Sequence, residues 1–249
     1  MDEWMLFFAG VMGGVINSIA GGGSLITFPA LMLTGIPAIS ANATNTFASS
    51  AGYLAGAYGF RHDFAHQPKV VSATILFSVL GGAIGAALLL SISEQLFSQA
   101  IPWLLLFATL LFVFGERISA WLQGKHSVQW LLPLLLISVS AYGGFFNAGL
   151  GLVVLSYLVL AGYQDINQMN GLKLVVSSCV SLSAIAVFWY QGAIAWLPGA
   201  VVLMGSLLGG YVAARVSRKI KAQYIKNFVI LSSAVMTLYF FIDIYLRPT

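Results

Sequence analysis

Charge is what this chain has least of. Only 7% of its 249 residues are Asp, Glu, Lys or Arg, whereas 59% are hydrophobic and the mean hydropathy is +0.93. Such a chain cannot cover an ordinary water-facing surface, so a soluble globular protein is excluded and an integral membrane protein is expected. Long polar stretches are missing too, which leaves no room for a soluble domain and makes 1–249 a single membrane domain. One cysteine, Cys179, rules out an intrachain disulfide, and its apolar neighbours mark it as a small packing residue. His62, His66 and His126 fall between apolar segments with no cysteine or carboxylate at ligand spacing, so neither a metal site nor another cofactor is expected. The apolar segments hold no chain of Asp, Glu or His, which argues against a dedicated carboxylate proton relay but not against proton or sodium coupling through substrate or backbone. With no catalytic cluster in the membrane, the protein is not expected to be an enzyme. The start, Met1-Asp2-Glu3-Trp4, lacks the basic region of a cleavable signal peptide, so the first apolar segment is expected to remain.

What is present is a series of apolar segments at roughly 4–20, 24–34, 39–60, 69–91, 99–115, 129–146, 150–162, 168–190, 197–216 and 225–246. Crossing a bilayer takes about 20 helical residues, so 24–34 and 150–162 are too short and read as half-helices. Each would close a bent or re-entrant hairpin with the segment before it, followed by three crossings. The first hairpin is interrupted by Gly21-Gly22-Gly23-Ser24, where glycine permits the positive φ of a helix exit and Ser24 is placed to cap the next N-terminus. A break at membrane depth points to a binding site, because freed backbone groups need protein or a wet cavity. Close helix packing is the alternative reading of a glycine patch, and the recurrence of the break is what favours a site.

That recurrence suggests an internal repeat. Gly13-Gly14-Val15-Ile16-Asn17 matches Gly143-Gly144-Phe145-Phe146-Asn147, and each run leads into a glycine-containing break. Gly81-x-x-x-Gly85 matches Gly205-x-x-x-Gly209 at an offset of 124, which the last segments, from Ile101 and from Ile225, keep. The repeats are placed at about 4–115 and 129–246, joined by a cytoplasmic linker at about 116–128. Lysine and arginine set the orientation, since short cytoplasmic loops carry the positive excess. Arg61 with Lys69, Arg117 with Lys125, and Arg215, Arg218, Lys219, Lys221 with Lys226 define three inner loops. Both termini are then outside and the repeats have inverted topology. The sequence pI of about 9.2 is therefore a topology signal rather than a nucleic-acid face.

Inverted repeats with broken helices place a site near the midplane, where helix N-termini favour an anion. The candidates are Asn17, Gly22, Gly23, Ser24 and Thr27 from the first hairpin and Asn147, Gly149 and Gly151 from the second. The helices that follow add Asn42, Thr44, Asn45 and Thr46, then Asn167, Asn170 and Lys173. Lys173 is the sharpest of them, since 169–189 is otherwise apolar or small-polar and holds no carboxylate to pair with it. A lysine two turns from a helix start can also snorkel to the interface, and that alternative stays open. The expected partners are a small anionic substrate and the lipid bilayer, with no nucleic acid; a homodimer stays open.

Three stretches resemble one family over nearly the whole chain. GGVINSIAGGGSLITFPALMLTGIPAISANATNTFA in the first half, and GGFFNAGLGLVVLSYLVLAGYQDINQMNGLKL with GSLLGGYVAARV in the second, are similar to the sulfite exporter TauE/SafE family of membrane transporters. The resemblance implies an all-α fold that moves small sulfur-containing or carboxylated organic anions across the bacterial cytoplasmic (inner) membrane. Many members carry lysine where this chain has Thr46, while Lys173 occupies the comparable place in the second half. The positive charge then comes from one repeat only, which favours a singly charged or small anion. The expectation is a secondary transporter, exporting an organosulfur or sulfite-like anion by alternating access. An anion channel lined by the same hairpins is the alternative.

Overall fold

The computed structural model describes residues 2–19, 22–61, 68–122, 129–216 and 222–246. The described residues are all-helical, with no strand. The first half contains α1 (Asp2–Ile19), α2 (Ser24–Leu33), α3 (Ala38–Gly59), α4 (Pro68–Ser91) and α5 (Glu94–Leu122). A 3₁₀ turn at Gln129–Leu131 opens the second half: α6 (Leu132–Phe145), α7 (Leu150–Leu160), α8 (Ile166–Tyr190), α9 (Trp196–Val216) and α10 (Ala222–Phe241), which ends in a π turn at Ile242–Leu246.

Four of the helices are long and apolar enough to cross a membrane, at Val70–Ser91, Glu94–Gly115, Asn167–Tyr190 and Asn227–Leu246. The 22-residue α3 has the length, but the run Asn42-Ala43-Thr44-Asn45-Thr46 makes it too polar to face lipid. It is accordingly interior, with Asn42, Thr44, Asn45, Thr46 and Ser50 all buried. At 10 and 11 residues, α2 and α7 reach about 15–17 Å, half of a bilayer core.

Both short helices follow a break. Gly22 has φ 113° and Gly149 φ 80°, backbone that any side chain would strain, and Gly149 is the N-cap of α7. Ser24 does not cap α2 as expected. Gly23 takes that place without a side-chain cap, and the Ser24 hydroxyl lies 3.3 Å from that of Ser49 instead. Gly21 is outside the described residues. Other punctuation is conventional: Pro37 precedes α3, and Asp165 caps α8 by accepting from the Asn167 amide at 2.9 Å. The helix α5 runs on to Leu122, into the stretch assigned to a linker, so Arg117 lies on a helix rather than in a loop. Lys69, Arg215 and Lys226 likewise lie in terminal turns of helices, while Lys125, Arg218, Lys219 and Lys221 are outside the described residues.

The two halves interlock. The helix α1 packs along α9, and α6 packs along α4. Pairing the first five helices in order with the last five exchanges these two contacts, and it likewise exchanges α3–α9 with α4–α8, α2–α10 with α5–α7, and α2–α3 with α7–α8. Glycines make the long contacts close: a Cβ on Gly14 would lie 2.2 Å from the Ser206 carbonyl oxygen, and one on Gly209 would lie 2.0 Å from that of Val11. On the other side, a Cβ on Gly85 would meet the Ala141 oxygen at 2.0 Å and one on Gly144 the Gly82 oxygen at 2.1 Å. Backbones at that separation need small residues, the usual solution where lipid offers no hydrophobic drive to helix association.

Candidate functional site

A cavity of about 530 Å³ lies between the two breaks. Its walls include Asn17, Gly22, Gly23, Ser24 and Thr27 from the first hairpin and Asn147, Gly149 and Gly151 from the second, joined by Asn170 and Lys173 of α8. The breaks and α8 therefore converge as the sequence pattern suggests they should. Asn42, Thr44, Asn45 and Thr46 are not on its walls. Three of them tie elements together: Asn42 Nδ2 donates to the Phe145 carbonyl at 3.0 Å, the Ala195 amide donates to Thr44 Oγ1 at 2.9 Å, and Thr27 Oγ1 donates to Asn45 Oδ1, whereas Thr46 Oγ1 donates to the Asn42 carbonyl within α3 itself. Asn167 is exposed at the start of α8, with its backbone amide in the Asp165 cap.

Lys173 enters the cavity wall from the second turn of α8 and lies over the start of α7. A Cβ built on Gly151 would be 3.5 Å from Lys173 Cδ, ordinary contact distance, so the lysine stem packs directly over this glycine. Asn170 Oδ1 accepts from its ammonium at 3.0 Å, and no carboxylate pairs with it among the described residues. Around the break, the Asn147 carbonyl accepts from Leu150, and that of Gly149 accepts from Leu152 and Val153. The Gly151 N–H between them has no backbone acceptor among the described residues. Cation, helix N-terminus and free amide thus converge from α7 and α8, an arrangement suited to an anion.

Asn147 is 1% exposed, and its Oδ1 accepts from the Tyr53 hydroxyl at 3.1 Å, while its Nδ2 has no partner. Tyr53 and Ser49 on α3, Ser177 on α8, and Ser206 and Tyr211 on α9 also line the cavity, although none is among the candidates that the sequence offers. A signal for the first two exists: Asn45, Ser49, Gly52 and Gly56 follow helical spacing, so a narrow face of small residues runs down α3 with Tyr53 beside it. The rest of the lining is apolar and includes Leu152, Leu155, Leu174, Leu203 and Leu207.

The cavity reaches the C-terminal ends of α3 and α9, at Phe60 and Tyr211, and stops short of their other ends. There Phe47 and Trp196 meet edge to face at 5.2 Å, and Glu94 accepts from the Ile39 amide at 3.2 Å. Phe28, Phe97 and Phe146, all fully buried, form edge-to-face contacts at 5.4 and 6.4 Å beside the second break. No group of three or more His, Cys, Asp or Glu suited to a metal occurs among the described residues.

Comparison with known proteins gives one consistent result. The family model described as "Sulfite exporter TauE/SafE" matches residues 6–240. A "Probable membrane transporter protein" of Haemophilus influenzae is 31% identical over 94% of this chain and 92% of its own. "Probable membrane transporter protein YfcA" of Escherichia coli K12 is 28% identical over 94% of this chain and 87% of its own. "Probable membrane transporter protein ORF9" of a Sinorhizobium species is 26% identical over 94% and 90%. No solved structure matches the chain.

Proposed function

Because the chain belongs to the sulfite exporter TauE/SafE family and is a membrane transporter of that family, we propose that it exports a small organosulfur or sulfite-like monoanion, or a comparable carboxylate, through the bacterial cytoplasmic membrane. The observation that carries this reading is Lys173, a cation without a carboxylate partner among the described residues, on the wall of a cavity beside the N-terminus of a half-length helix. Inside a bilayer an unpaired ammonium is costly, and an anionic ligand is the partner that would offset it. We read the two halves as inverted repeats, on the strength of the exchanged helix contacts and the recurring break. Alternating access would then be a rocking of one half against the other about the cavity.

With the basic residues placed inside, the cavity reaches the cytoplasmic ends of α3 and α9, a loading position for export. Export of a monoanion from a cell negative inside is favoured by about 2.3 kcal/mol per 100 mV, so it needs no further coupling. The test is flux in proteoliposomes that contain purified protein and sulfite, methanesulfonate or acetate. Saturable efflux with counterflow supports the carrier, and its loss in Lys173→Met ties it to the cation. Single-channel currents would replace the carrier with a channel, and no flux of any of these anions would overturn the anion reading.

A further inference from the structure

We propose that Tyr53 is a positioning residue for the anion site, holding the Asn147 side chain so that its amide nitrogen serves as a substrate donor. The proposal rests on the anion reading above and adds a residue from the opposite half of the chain. Asn147 sits in the second break, one residue before the start of the Ala148-Gly149 turn, and is 1% exposed. Its Oδ1 is occupied by the Tyr53 hydroxyl at 3.1 Å, and its Nδ2 has no partner. A buried NH₂ with no partner among the described residues is destabilising, and a substrate acceptor would satisfy it.

The direction of the Tyr53 bond decides which end of the amide is free. The phenol proton goes to Asn147 Oδ1, while the Ser24 and Ser49 hydroxyls pair with each other at 3.3 Å. An amide oxygen pinned by a phenol proton cannot turn toward the cavity. The edge left over is a buried donor, on a residue that lines the cavity together with Lys173 and Gly151. All three favour a negative ligand and repel a positive one. The geometry recurs at Asn45, whose Oδ1 accepts from Thr27 Oγ1 and whose Nδ2 is likewise unpartnered, although Asn45 does not line the cavity. Tyr53 and Asn147 come from different halves, so the bond also ties the amide's orientation to how those halves are docked.

The test titrates sulfite and methanesulfonate, with methanesulfonamide as the uncharged analogue, into purified wild type, Tyr53→Phe, Asn147→Asp and Lys173→Met. Binding is followed by calorimetry, and the unliganded melting temperature is the folding control. Tyr53→Phe frees the amide to rotate and should weaken both anions about fivefold to tenfold, the value of one hydrogen bond, with little change for the sulfonamide. Asn147→Asp keeps an acceptor for the Tyr53 proton but turns the donor into a carboxylate, and should weaken both anions by at least about 100-fold in a protein that still melts cooperatively. Unchanged anion affinity in a folded Asn147→Asp, or in a folded Tyr53→Phe, overturns the positioning role, and if Tyr53→Phe does not fold the aspartate variant decides alone. Loss of binding in Lys173→Met with no effect of the other two would leave the anion site standing without Tyr53. Failure of wild type to bind either anion would overturn both readings.

Discussion

The hydroxyls of Thr109 on α5 and Ser233 on α10 are hydrogen-bonded to each other in the buried interior, 124 positions apart in the chain. That is the offset between Gly81-x-x-x-Gly85 and Gly205-x-x-x-Gly209. On the repeat reading the two residues are counterparts, and counterparts touch only where a two-fold axis passes between them. The axis would thus run between α5 and α10. Thr109 also donates to the Leu105 carbonyl, so its proton is committed and Ser233 is the donor in the pair. Ser233→Ala and Thr109→Ala should each lower stability by roughly 0.5–1.5 kcal/mol, and the double variant by less than their sum. Unfolding in mixed detergent measures the cycle. Additive effects would mean that the contact carries no energy of its own.

The glycines at the long helix contacts make a sharper claim. A methyl group on Gly85 or Gly209 would fall 2.0 Å from a facing carbonyl oxygen, and backbone cannot swing aside as a side chain can. Gly85→Ala and Gly209→Ala should each cost about 1–3 kcal/mol by forcing α4 from α6 or α9 from α1. Gly59, which has open space around the added carbon, is the control and should tolerate alanine. Thermal midpoints of the three purified variants decide it.

How far the sequence carried depends on the kind of signal. Both breaks were legible because glycine runs inside apolar segments have few other uses, and the short helices after them follow from length alone. Lys173 stood out because a charge in such surroundings is rare. The run Asn42-Ala43-Thr44-Asn45-Thr46 was also conspicuous, yet polarity does not say which way a side chain turns. In a buried helix every face meets something polar, and these residues meet Phe145, Ala195 and Thr27 rather than the cavity. Tyr53 went unseen for the opposite reason: a tyrosine in an apolar helix reads as packing, and only its bond to a residue 94 positions away distinguishes it. The Ser24 cap failed because the chain uses Gly23 there and turns the hydroxyl toward Ser49.

Thr44 separates scaffold from site. Its hydroxyl accepts from the Ala195 amide just before α9, at the end of the bundle opposite the cavity mouth. Thr44→Val preserves the shape and leaves that N–H without its acceptor, at a cost of about 1–3 kcal/mol. Anion affinity of the folded variant should stay within about twofold of wild type. A large loss of affinity would bring Thr44 back into the binding site.

Lys173→Met should move stability and binding in opposite directions. Methionine keeps an unbranched stem over Gly151 while removing a charge whose partner among the described residues is the Asn170 oxygen. A half-buried charge with so little compensation weakens the fold, so the variant should melt higher than wild type when no anion is present. With sulfite at about 100 times the wild-type Kd, wild type should gain about 2.7 kcal/mol and the variant almost nothing, so the order of melting reverses. Lys173→Arg, which retains the charge, should recover part of that gain. If Lys173 merely snorkels to the interface, the unliganded melting temperatures agree and both proteins respond to sulfite alike, because the charge would then be solvated whether or not the site is filled.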